Sequence, residues 1–574
     1  MLRDSSVFRS SSRPVLGTVA LVAALCAPTP ALAENSDGDA GYAALLDQAY
    51  AADGPGATAL VVKEGEVLYR GARGMADLEM GVELDPGHVF RLGSITKQFT
   101  GAAIMILAED GELSVDDPIT KFLPDYPTHG HTITVEHLLV HTSGVASYTG
   151  IPGYMASGKI RRDLSTEELV DVFDDIEMDF APGDAWNYSN SGYVLLGAIV
   201  EAVSGESYAD FVQKRIFEPL GMKDSHYGGH QLIPRRVEGY DGGPGDYRNA
   251  PYLSMTQPHA AGSLLSTVDD LARWQQAFWG GEVMSMESVA RMTKRYALND
   301  GEEFDYGYGY QVGDLRGERM VHHGGGIFGF STHALWLPER EIFVAVLSNS
   351  PGNPTGPGDV SRRLAALAME KPFPGQSKIE VDAETLRDYV GVYVISDDQV
   401  RAVSVEGGRI FTQRNGGERF EVFPFAKDRF FYANSLSYLE FERDAGGAVT
   451  TMLMYPNGQS EAQTCPRSDD PEAAANMAAG PDREVASVSP ELYDLWAGSY
   501  QIQPGFLLEL RREGDSLISQ ATGQGSAELF PASIHRYFLK VVDAEIEIIP
   551  GADGRAEAIV LYQGGQEIRA ERVE

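Results

Sequence analysis

The chain has 574 residues, 43% of them hydrophobic and 22% charged, so it can form packed cores, and its length points to two to four domains. Its formal charge of −37 repels phosphate backbones and anionic bilayers, which argues against nucleic-acid and lipid-surface partners.

Residues 1–33 read as a secretory signal peptide. Arg3, Arg9 and Arg13 precede the apolar run LGTVALVAAL, and Ala31-Leu32-Ala33 offers small residues for cleavage. The expectation is a secreted or periplasmic protein, free of the membrane after cleavage, since no later apolar run approaches the roughly 18 residues a span requires. A lipid anchor on Cys26 is disfavoured because Leu25 stands where a small residue is wanted. Cleavage would take the charge to −39 and leave Cys465 as the single thiol, with no partner for an intramolecular disulfide or a cysteine-ligated metal.

Residues 41–372 alternate helical and strand-like patterns. ATALVVKEGEVLYRGARG predicts a hairpin turning at Glu64-Gly65. SITKQFTGAAIMILAE, residues 94–109, is almost wholly apolar and stops at Asp110-Gly111, which predicts a buried helix. Further helices are expected at TVEHLLVH, NSGYVLLGAIVEAVSG and TVDDLARWQQAF, and strands at STHALWLPE and EIFVAVLSN. Strands from both ends of the segment predict an α/β domain whose sheet is closed by its termini.

Beyond this segment the sequence repeats at a constant offset of 107 residues. Gly391 and Tyr393 recur as Gly498 and Tyr500, the run EVFP at 421–424 as ELFP at 528–531, and Arg429 as Arg536. Short alternating runs and glycine turns predict a small antiparallel β-barrel or sandwich for each unit, at 381–466 and 488–574, joined by an Ala-, Pro- and acid-rich linker at 467–487.

Three motifs carry chemistry. Ser94 and Lys97 are three apart on a helix and so share a face. The helix N-terminus stabilises an oxyanion beside Ser94, and apolar neighbours favour a neutral Lys97 amine that can take the serine proton. Tyr188-Ser189-Asn190 adds a phenol that could be held as phenolate and relay protons, and an amide that could orient the substrate carbonyl or Lys97. In His323-Gly324-Gly325-Gly326, glycines permit close backbone approach, and the Gly326 N–H could complete an oxyanion hole with that of Ser94. His322-His323-Gly324 is a competing register. Each motif alone also fits a bland reading: a capped helix, an Asn-rich turn, a glycine-rich strand end.

Two rivals are weaker. His129, His131, His137 and His141 crowd into 13 residues, but Leu138 replaces the Glu of a zinc-protease H-E-x-x-H, so no metal or other cofactor is expected. No G-x-S-x-G elbow surrounds Ser94, which disfavours an α/β-hydrolase.

Together, FRLGSITKQFTGAAIMILAEDGELS, PGDAWNYSNSGYVLLGAIVE and HHGGGIFGF, supported by VEHLLVHTSGV and AAGSLLSTVDDLARW, resemble the serine β-lactamase and penicillin-binding family. The likeness is to its class C-like branch and covers roughly residues 41–370. It implies a β-lactamase-like catalytic domain with an antiparallel sheet flanked by helices, and an acyl-enzyme on Ser94 assisted by Lys97 and Tyr188. Asn190, His323, Gly325 and Gly326 would then hold the substrate or its oxyanion, with Gly329-Phe330 favouring His323 as the third motif's first residue. The third motif departs from class C β-lactamases, which usually place Lys where His323 stands. The resemblance therefore implies a peptidase of D-aminopeptidase or D-Ala carboxypeptidase type, or an esterase, acting on a small peptide, D-amino-acid amide or ester. A β-lactamase, or a catalytically silent cell-envelope protein that binds peptide or glycan, is the alternative. The order of one catalytic and two β-barrel domains also resembles D-aminopeptidases. Oligomeric state is not legible in the sequence.

Overall fold

The structure is a computed structural model. It describes residues 40–574 apart from 375–377, 397–398, 416, 418, 434, 460, 469–485, 487, 504–505, 522–525, 540–543, 552–553, 564–565 and 574. The expected signal peptide and most of the expected linker lie outside the described residues.

Six antiparallel strands form the central sheet: β1 (Ala57–Lys63), β2 (Glu66–Arg73), β3 (Gln311–Leu315), β4 (Glu318–Ile327), β5 (Phe330–Leu337) and β6 (Ile342–Ser348). Their spatial order is β3-β4-β5-β6-β1-β2, so the N-terminal hairpin completes a sheet begun by the C-terminal strands. Its turn has Glu64 at φ 52° and Gly65 at φ 81°, the paired positive values of a tight two-residue hairpin. β1 pairs with β6 from Ala57–Ser348 to Lys63–Ile342.

All seven residues of β6 are buried, because both faces are covered. Val344 and Val346 face a core shared with helices α1 (Ala40–Ala49) and α5 (Pro357–Ala368), through Tyr42, Leu46 and Leu364. Phe343, Ala345 and Leu347 face the larger core built on α2 (Thr96–Glu109), α3 (Asn190–Ser204) and α4 (Val268–Trp279). This period-two division is what a strand buried on both faces requires, and each Val or Leu so buried contributes roughly 1.5–3 kcal/mol. In α2 every residue from Thr96 to Leu107 is buried.

The two repeats fold as antiparallel eight-stranded units. The second is a closed barrel, and the first is nearly so, with an isolated bridge between Tyr393 and Arg467 across its gap. The sequence offset is also a structural one: Tyr393 Oη donates to Tyr389 O and Tyr500 Oη donates to Trp496 O, the same bond 107 residues apart. Phe373, Leu436 and α5 tie the first repeat to the core on the outer face of the central sheet. The second touches the loop around Gly153, whose N–H donates to Gln501 Oε1.

Candidate active site

Ser94 lies in a single 3-10 turn, Gly93–Ile95, leading into α2. Gly93 has φ +56°, and a Cβ there would stand 3.0 Å from the Gly326 nitrogen. Glycine is thus what lets the Ser94 turn rest against Gly326 on β4. One residue earlier, Leu92 O accepts a hydrogen bond from Thr332 Oγ1 at 2.7 Å, fixing the same turn to β5.

Lys97 is fully buried. Its Nζ lies 2.8 Å from Asn190 Oδ1, 2.9 Å from Ala261 O and 3.2 Å from Ser94 Oγ. Desolvation pushes its pKa well below the usual lysine value. Asn190 opens α3, whose N-cap is Ser189, with Ser189 Oγ accepting from the Gly192 N–H. The bland capping role therefore falls to Ser189 and leaves Asn190 free to hold the lysine. Its own Nδ2 donates to Thr149 Oγ1 and its N–H to Ser147 Oγ.

Tyr188 presents its ring to Lys97 Nζ at 4.7 Å from the centroid. Its Oη is buried and makes no well-aligned hydrogen bond among the described residues, though the Ser94 hydroxyl is close enough to act on it. Burial pushes the phenol upward, partly offset by the neighbouring Ser94 hydroxyl, so it stays protonated at neutral pH. This departs from the phenolate that the sequence allowed, because desolvation disfavours the charged phenol.

Two histidines complete the wall. His141 Nδ1 accepts the Ser189 N–H, and its ring lies 4.3 Å from that of Tyr188. The side chain of His323 sits 2.6 Å by Nδ1 from Gly324 O and 2.8 Å by Nε2 from Tyr306 Oη. A carbonyl only accepts, so Nδ1 carries the proton and Tyr306 donates to Nε2. Burial, with Lys97 nearby, pushes the His323 pKa down to about 3. Its neighbour His322 points to the opposite face, where its Nδ1 meets His333 Nε2 at 3.2 Å and His333 in turn meets Ser361.

The glycines of β4 differ in their surroundings. A Cβ on Gly325 would lie 1.9 Å from Leu92 O and 2.3 Å from Thr332 Oγ1, whereas one on Gly326 would meet nothing within 4 Å. Gly325 is a packing position and Gly326 borders open space. β3 ends its pairing with β4 at Gln311–His322, leaving His323–Ile327 beyond the paired stretch on that side.

Ser94, Lys97, Tyr188, Asn190 and His323 thus converge. The other clustered histidines do not: His129 and His131 are exposed, and His137 forms a capping box with Thr134. Among the described residues no group of three His, Cys, Asp or Glu side chains could hold a metal, and no helix is long and apolar enough to cross a membrane. Sequence reasoning missed Ser147, Thr149, Tyr306 and the Ala261 carbonyl, which brace Asn190, His323 and Lys97 from distant segments.

Residues 43–368 match the Beta-lactamase family, and 375–466 match a domain of unknown function, DUF3471. The chain is 29% identical over 427 residues to "Penicillin-binding protein 4*" of Bacillus subtilis (strain 168), covering 70% of this chain and 93% of that one. It is 28% identical to Esterase EstB of Burkholderia gladioli, covering 51% and 84%, and 28% identical to the D-aminopeptidase of Gluconobacter oxydans (strain 621H), covering 56% and 60%. Among solved structures, the D-amino acid amidase of Ochrobactrum anthropi SV3 complexed with L-phenylalanine amide superposes with a TM-score of 0.52 at 26% identity, over 58% of this chain and all of that one.

Proposed function

The chain belongs to the Beta-lactamase family and is a hydrolase, and from that premise we propose that it cleaves small amides or esters, peptide-like and of D-amino-acid type, through an acyl-enzyme on Ser94. The carrying observation is the set of three partners around Lys97 Nζ. Asn190 Oδ1 and Ala261 O can only accept, so they take the two N–H bonds of a neutral amine. In the neutral form the remaining lone pair faces Ser94 Oγ, 3.2 Å away, and the contact that an ammonium would donate becomes one in which the serine hydroxyl donates, the arrangement of a general base.

In this reading Lys97 takes the Ser94 proton as Oγ bonds to the substrate carbonyl carbon. The N–H groups of Ser94 and Gly326 receive the oxyanion. As the carbonyl carbon's bond to the leaving nitrogen or oxygen breaks, the protonated Tyr188 gives its hydrogen to that atom and recovers one from Lys97. Water then attacks the ester carbonyl and gives a proton to Lys97, which passes it to Ser94 Oγ as the acyl–Oγ bond breaks, so that the acid leaves and both Ser94 and neutral Lys97 are restored. Amide and ester substrates are favoured over β-lactams because His323 is neutral and spends both ring nitrogens on Gly324 and Tyr306, leaving no cation there for a β-lactam carboxylate.

Mass spectrometry after fluorophosphonate treatment should find one adduct, on Ser94, in protein that turns over D-amino-acid amides. Active protein without that adduct would refute the reading. Export is part of the proposal, and the secreted protein is expected to begin at Glu34 on N-terminal sequencing; a cytoplasmic protein retaining residues 1–33 would remove it.

A further inference from the structure

A pocket of about 140 Å³ has a pair of guanidinium groups in its wall, Arg91 and Arg236, with Tyr252, Ser254, Leu265 and Asp163 around them. Arg91 is half-buried, and its guanidinium packs over the Phe330 ring at 5.6 Å. It has no carboxylate or carbonyl acceptor among the described residues, and burial draws its pKa below the usual arginine value. Arg236 is only loosely engaged, 4.0 Å from the exposed Glu238. Asp163, the acidic member of the wall, already accepts from Ser254 Oγ at 2.6 Å and meets His230 Nε2 at 2.7 Å. Two guanidinium groups, one of them half-buried, thus share the single exposed carboxylate of Glu238, which neither holds in a bidentate pair, and so leave room for a carboxylate ligand.

One wall residue of the pocket is close in the chain to the nucleophile. Arg91 precedes Ser94 by three residues, so their Cα atoms are at most about 11 Å apart. Phe330, beneath Arg91, begins β5 just past the turn that follows Gly326 and Ile327. Ile327 itself packs with Leu265 and Met255 of the pocket wall.

We propose that this pocket is a substrate subsite for a carboxylate, gripped by Arg91 and Arg236, which gives the enzyme a preference for acidic acyl groups. The inference rests on the Ser94 reading and relocates anion recognition, which His323 cannot supply, to the far side of the β4–β5 turn.

The test compares kcat/KM for mono-4-nitrophenyl succinate with that for 4-nitrophenyl butyrate, one acyl chain ending in a carboxylate and the other neutral. Arg236→Ala, at an exposed position, is expected to lower the succinate-to-butyrate ratio about tenfold. Arg91→Gln should do the same, and Arg236→Lys should retain part of the preference. Raising the salt to 0.5 M should lower the wild-type ratio, because the recognition is ionic. A ratio unmoved by Arg236→Ala, in enzyme that still labels on Ser94, overturns the subsite and leaves the acyl-enzyme standing. Failure of the wild type to label or to turn over either ester instead removes the reading on which the subsite depends.

Discussion

Tyr306 Oη donates to His323 Nε2 at 2.8 Å in the buried wall of the cleft, and this bond fixes the third-motif histidine as a neutral imidazole. The same holds for the histidine beside it: His322 and His323 both have pKa values pushed down to about 3 by burial.

Acid stability follows from that shift. An unfolded histidine titrates near 6.5, so below that pH the unfolded chain binds protons that the native one refuses. Each such histidine then removes about 1.4 kcal/mol of stability per pH unit, from about pH 6.5 down to its folded pKa near 3. Denaturant unfolding between pH 7.5 and 5 should show this loss, with full stability above pH 6.5. His322→Gln should flatten the slope by about one proton, whatever it does to absolute stability. An unchanged slope would mean that His322 is solvated.

Activity should depend on pH through Lys97. Its pKa is drawn well below the usual lysine value by desolvation, which favours the free amine that accepts the Ser94 proton. kcat/KM should rise from acid pH and reach its plateau well below pH 10. Lys97→Ala is expected to lower kcat by about 10²–10⁴, the usual worth of a positioned base. Lys97→Arg should be equally inactive, since a guanidinium does not release its proton. Ser94 labelling followed across pH would check both.

Tyr188→Phe separates chemistry from folding. The phenol Oη is buried and makes no well-aligned hydrogen bond among the described residues, with only the Ser94 hydroxyl acting on it, so its removal should leave stability nearly unchanged. Turnover should still fall by about 10²–10⁴, because the leaving group loses its proton donor. A thermal-unfolding scan beside a kcat measurement reads both; a marked fall in stability would show that Oη has a structural partner.

Much of this was legible in the chain because it is local. The Glu64-Gly65 turn, the apolar run of α2 and the 107-residue repeat each declare themselves within a few residues or through one period. The convergence of Ser94, Lys97, Tyr188 and Asn190 was suggested by motif order and spacing. What pattern could not show is the bracing across the fold. Ala261 O reaches Lys97 over 164 residues, and Tyr306 reaches His323 from a tyrosine- and glycine-rich stretch with no periodic signal. Tautomers and burial, which keep His323 neutral and draw down the Lys97 pKa, exist only once distant segments have packed.

The two adjacent glycines of β4 should respond oppositely to the same change. A methyl group on Gly325 would collide with the Leu92 carbonyl and with Thr332 Oγ1, both of which hold the Ser94 turn. Backbone cannot move away cheaply, so Gly325→Ala is expected to cost at least about 1–3 kcal/mol of stability and to reduce kcat by displacing Ser94 from Gly326. At Gly326 the same methyl meets nothing within 4 Å. Gly326→Ala should therefore fold with wild-type stability and act only on what enters the cleft, raising KM for bulky acyl groups more than for acetyl esters. Melting temperatures of the two variants, read beside their kcat and KM on acetyl and longer esters, would decide it. Equal destabilisation of both would mean that Gly326 does not border the cleft.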